Sequence, residues 1–139
     1  MRRIAVLVAL MSATAAHGAE PYLFELLKQE PYRTSWEVLF SAETNIPDWV
    51  VVFSDKYDGV ATPSRIVRLN GADYRFASVC KPHDCAGNEL NVLFGPGGSP
   101  AWALLTENGA RRWLGNPDDR IRGAITEPSN GDENSDDEL

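Results

Sequence analysis

Cysteine, histidine and long apolar runs are all scarce in this 139-residue chain, which has two cysteines and two histidines. The longest apolar run, Ile4 to Met11, is far short of the roughly 20 residues that cross a bilayer. A membrane anchor is therefore not the expectation. Arg2 and Arg3 precede that run, and small residues from Ser12 to Ala16 follow it, the order of a secretory signal peptide. Ala16 and Gly18 meet the small-residue rule before a cut, placing cleavage between Gly18 and Ala19. His17 leaves with residues 1–18, so His83 is the only histidine of the mature chain.

These shortages also limit the chemistry. Cys80, His83 and Cys85 lie too close together to wrap a tetrahedral zinc, and no further Cys or His remains to complete a site. A redox motif has two residues between its cysteines; here there are four. His83 has no recognisable nucleophile and orienting acid to form a hydrolytic set. The expectation is a protein without metal or cofactor that is not an enzyme.

Basic residues are the next deficit. The full chain carries −7, and without residues 1–18, which hold two arginines and no acid, it carries −9. Such a surface repels nucleic acid and anionic lipid and draws in a basic protein partner. Six of the acids lie in residues 127–139, a stretch with no base and almost nothing apolar. That composition reads as a solvated, disordered extension, leaving residues 19–126 as a single domain large enough for its own core.

Within it, Leu23, Phe24, Leu26 and Leu27 have helical spacing up to Pro31. Thr34 and Glu37 suggest a capping box ahead of Trp36, Leu39 and Phe40. The run Trp49-Val50-Val51-Val52-Phe53 reads as an inner strand. Asn70-Gly71 marks a hairpin between Ile66–Leu69 and a strand from Asp73 to Val79. Leu90, Val92 and Phe94 form the next strand, and Ala101–Leu105 returns after Gly95-Pro96-Gly97-Gly98. Asn116, as N-cap with Pro117 behind it, opens a last helix whose stripe is Ile121, Ala124 and Ile125. The expected fold is α+β: an antiparallel sheet of about five strands with short helices packed on one face.

The strand ending at Val79 delivers Cys80-Lys81-Pro82-His83-Asp84-Cys85. In an exported chain this pair of cysteines should be a disulfide. Closing so small a ring contributes on the order of 2 kcal/mol at most, so its purpose is better sought in holding the loop still. Pro82 stiffens the backbone and Lys81, His83 and Asp84 crowd a rigid tip, ready before any partner arrives.

The hexapeptide CKPHDC resembles the signature loop of the Ivy family, inhibitors of vertebrate lysozyme from the periplasm of Gram-negative bacteria. The resemblance extends through Tyr74–Val79 and Glu89–Phe94, and more loosely through Ile46–Val52. It implies a central antiparallel sheet with helices on one side, c-type lysozyme as the basic partner, and a mechanism in which His83 enters the enzyme's cleft to meet its two catalytic carboxylates. Two alternatives remain at this point. The loop could restrain the cell's own lytic transglycosylases, which share a lysozyme-like cleft, or the acidic surface could make the protein a scaffold module with no inhibitory activity.

Overall fold

The computed structural model describes residues 18–128. Residues 1–17 and 129–139, and with them the expected signal peptide and nearly all of the acidic extension, lie outside the described residues. No helix among the described residues is long and apolar enough to cross a membrane.

Four helices and six strands follow one another in the order α1 (Leu23–Leu26), α2 (Tyr32–Ser41), α3 (Asp48–Lys56), β1 (Val60–Ala61), β2 (Arg65–Leu69), β3 (Ala72–Cys80), β4 (Glu89–Phe94), β5 (Ala101–Glu107), β6 (Ala110–Leu114) and α4 (Asp119–Thr126). The sheet is antiparallel throughout, with β1 and β2 laid end to end along one edge of β3, followed by β4, β5 and β6. It is thus five ribbons wide, as expected, and the fold is α+β.

Side-chain alternation gives the sheet two buried faces. Ala77, Val79, Leu90, Val92, Phe94, Ala103, Leu105 and Leu114 point to the face covered by α1, α2 and α3, where Leu23, Trp36, Val50 and Phe53 meet them. Tyr74, Phe76, Leu93 and Leu104 point the other way, onto Ile121, Ala124 and Ile125 of α4. Helices α1 to α3 therefore share one side, whereas α4 packs against the opposite face. Leu93 and Leu104 are both fully buried because each belongs to an inner strand with a helix above it.

Three local expectations are corrected. The run 49–53 is not a strand but the heart of α3. Pro47 enters it in extended geometry, Asp48 occupies the first turn, Lys56 the last, and Tyr57 ends it in the left-handed conformation. Its β-branched residues favour a strand locally, but burial follows the helical period: Val50 and Phe53 are fully buried, while Val51 and Val52 are 53% and 38% exposed. The ring of Phe53 packs edge-on against Trp36 at 6.0 Å, and that contact sets the helix face.

Helix α2 begins at Tyr32, two residues before the expected cap. The Thr34 N–H is met by the carboxylate of Glu30 at 3.2 Å, and Glu37 pairs with Arg33 at 2.6 Å instead of reaching back. An upstream carboxylate took the capping role. Similarly, Asp118 and not Asn116 caps α4, its side chain accepting from the Ile121 N–H at 2.9 Å. Gly115 and Asn116 both have positive φ, 80° and 54°, and this left-handed pair carries the chain out of β6 before a helix can begin.

The sequence pattern also missed β6. It is joined to β5 by Asn108-Gly109, with φ of 48° and 82°, the same kind of turn as Asn70-Gly71 between β2 and β3 with φ of 49° and 77°.

The helical assignment of residues 48–56 makes an asymmetric prediction. Val50→Ala should lower unfolding stability by about 2 kcal/mol through lost burial and a cavity, while Val52→Ala should cost well under about 1 kcal/mol. Chemical denaturation measures both. Equal losses would signal the two-residue alternation of a strand.

Candidate functional site: a disulfide-closed loop at one end of the sheet

One end of the sheet gathers the termini of several strands. Cys80 of β3 pairs with Glu89 of β4, Glu89 with Thr106 of β5, and Glu107 with Ala110 across the next turn, while Val60 pairs with Cys80 on the other side. The loop between β3 and β4 rises from this end.

Cys80 and Cys85 are joined by a disulfide, with their Cα atoms 5.0 Å apart. Inside the ring, the Asp84 N–H donates to the Lys81 carbonyl at 3.1 Å, closing a four-residue turn with Pro82 and His83 at its centre. His83 has φ +62°. A proline followed by a residue with positive φ is the pattern of a type II turn, whose third position normally falls to Gly or Asn. Histidine tolerates this region better than most side chains, but the conformation still costs about 1–3 kcal/mol unless its surroundings impose it. The ring closure and Pro82 do so here.

The sequence-level site residues are thus brought together in one turn. His83, Asp84 and Cys85 are exposed, and Lys81 and Pro82 half-buried. The Lys81 ammonium lies 3.5 Å from the Asp84 carboxylate, an exposed pair worth little for stability. It does, however, engage both charges beside His83.

What sequence reasoning missed is the base of the loop. The Lys81 N–H donates to the Asn88 carbonyl at 3.0 Å, and the Asn88 N–H to the Cys85 carbonyl at 3.1 Å. Asn88 is 3% exposed, and its side-chain oxygen accepts from the Asn108 N–H at 2.9 Å. Beside it the Gly109 N–H donates to the Gly87 carbonyl at 3.0 Å. A Cβ on Gly87 would lie 3.3 Å from the Gly109 nitrogen, and φ there is +76°. The β5–β6 turn therefore braces the loop from below. The Asn108-Gly109 dipeptide was the available signal for that turn; nothing local marked Asn88 as its partner.

Among the described residues, no group of three or more His, Cys, Asp or Glu side chains is arranged to hold a metal. The loop is a rigid, exposed projection with a histidine at its tip, an arrangement suited to entering a concave partner.

The chain also has relatives among known proteins. The family model described as inhibitor of vertebrate lysozyme (Ivy) matches residues 31–131. The chain is 35% identical over 140 residues to the inhibitor of vertebrate lysozyme of Pseudomonas aeruginosa, covering 91% of this chain and 89% of that one. It is 30% identical to an uncharacterized protein of the same organism, over 89% of this chain and 86% of that one. It is also 28% identical to the inhibitor of vertebrate lysozyme of Escherichia coli K12, over 67% of this chain and 56% of the relative.

The brace can be tested separately from any partner. Asn88→Ala leaves the Asn108 N–H without its acceptor and should cost about 0.5–1.5 kcal/mol. Hydrogen exchange at Asn108 and Gly109 should speed up with the disulfide intact. Unchanged exchange at both amides would mean that the loop is held by its ring alone.

Proposed function

This chain belongs to the Ivy family, the inhibitors of vertebrate lysozyme, and we propose that it is an exported, periplasmic inhibitor of c-type lysozyme that inserts its 80–85 loop into the enzyme's active-site cleft. Residues 1–18 are the signal peptide in this reading, 19–126 the inhibitor domain and 127–139 an acidic extension. As a member of an inhibitor family, the protein is not an enzyme.

The observation that carries the proposal is the conformation of His83: exposed, at positive φ, at the centre of a turn closed by a disulfide. A side chain held in this way loses little freedom on binding, so more of its interaction energy appears as affinity. Lysozyme works with one protonated and one ionised carboxyl flanking the scissile bond. An imidazole hydrogen-bonded to both occupies the position of the sugar and removes the division of labour between the two acids. Pro82 keeps the tip stiff, while Lys81 and Asp84, paired with each other beside His83, contact the cleft wall or brace the loop. The mature charge of −9 favours approach to a basic enzyme.

Substitution of His83 has to respect its backbone. His83→Ala removes the imidazole but also places alanine at φ +62°, whereas His83→Gly removes the imidazole and relieves the backbone. Both variants should weaken inhibition of a c-type lysozyme by about 1.5–3 kcal/mol, the range for hydrogen bonds to charged groups. If only the alanine variant is weaker, the turn conformation matters and the imidazole does not. If neither changes the inhibition constant, His83 has no part in binding. Reduction of the disulfide should weaken the wild type as well, because the loop then loses its fixed geometry.

A further inference from the structure

Beside the loop lies a groove of about 230 Å³. Three elements meet there: the start of α3 with Asp48 and Trp49, the loop base with Lys81 and Asn88, and the β5–β6 turn with Glu107 and Asn108. Two of these residues, Lys81 and Asn88, are the ones whose backbone hydrogen bond closes the loop, so the groove and the loop form one continuous surface.

We propose that this groove is a second contact for the target, receiving a lysine or arginine side chain from the rim of the lysozyme cleft while the loop enters the cleft itself. The inference rests on the inhibitor reading above. Its physical basis is a mismatch between charges and partners. Asp48 and Glu107 are exposed and have no hydrogen-bond or ion-pair partner among the described residues. Lys81 also lines the groove, but its ammonium is engaged by Asp84 on the loop side. Two carboxylates are left to accept a cation from outside. Trp49, half-buried in the groove wall, offers an indole, the ring type that attracts cations most strongly. The groove is a polar seat with an aromatic wall, matched to a basic side chain and unsuited to a carboxylate or phosphate.

The strand register supplies a control. Glu107 lies at the loop end of the sheet, whereas Asp73 pairs with Arg68 near the start of β3, at the opposite end. Asp119 opens α4, which follows the far end of β6. Asp48→Asn/Glu107→Gln and Asp73→Asn/Asp119→Asn each remove two negative charges, so long-range attraction falls equally in both. Dissociation constants for a c-type lysozyme would be measured by calorimetry for the wild type, both double variants and His83→Gly, with unfolding curves to show that each is folded. The groove variant should bind at least tenfold more weakly than the control variant, and the difference should persist when the groove substitutions are placed on His83→Gly. If the two double variants bind equally while His83→Gly is weakened, the groove proposal is overturned and the loop reading stands. If the groove variant is weakened and His83→Gly is not, the loop reading fails and the groove is the principal contact. A wild type that does not bind lysozyme overturns both.

Discussion

Pairing between β3 and β4, from Arg75 opposite Phe94 to Cys80 opposite Glu89, is the constraint from which both the core and the site follow. This register sets which residues face each layer of helices: Val92 and Ala77 meet α1 to α3, while Leu93 and Phe76 meet α4. A slip of β4 by one residue would turn its side chains over, placing Asn91 in the core beneath α1 to α3 and removing Leu90 from it. The same register brings the chain to the end of the sheet at Cys80 and receives it again at Glu89, leaving the intervening residues to form a projection. The stability of the core is thus coupled to the placement of the loop without any residue of the loop being buried in it.

Two restraints then act at different depths. The Cys80–Cys85 bridge and Pro82 limit the turn from within, and the β5–β6 turn limits it from below through Asn88 and Gly87. A histidine at φ +62° is a conformation that a free hexapeptide would leave readily. The surrounding contacts supply the cost of keeping it before a partner is present, which is the physical meaning of pre-organisation in this protein. On the proposed reading the groove sits on the same rigid base, and a second contact held at a fixed distance from the first adds affinity at little further entropic cost.

Much of this was legible in the sequence where local chemistry and tertiary structure agree. Asn70-Gly71 accepts the two positive φ values of a tight hairpin, and Leu90, Val92 and Phe94 alternate as their strand requires. The loop was legible as a set of six residues, although the positive φ of His83 could not be read from its identity. The stretch 49–53 misled because valine is common in strands, and the deciding fact, burial of Val50 with Phe53 against Trp36, depends on residues far along the chain. Strand β6 carries arginines at 111 and 112 with little apolar alternation, and becomes a strand by pairing with β5, with Arg112 reaching the carbonyls of Thr44 and Asn45. Its contribution to the loop base passes through Asn88, a contact between two turns 20 residues apart.

The central claim is that the 80–85 loop occupies the cleft of lysozyme with His83 at its tip. A crystal structure of residues 19–139 bound to a c-type lysozyme tests it most directly. The account predicts the His83 imidazole within hydrogen-bond distance of both catalytic carboxylates, in the same turn conformation as in the free protein. A complex that leaves the cleft open, with lysozyme held only through the acidic surface, would contradict it.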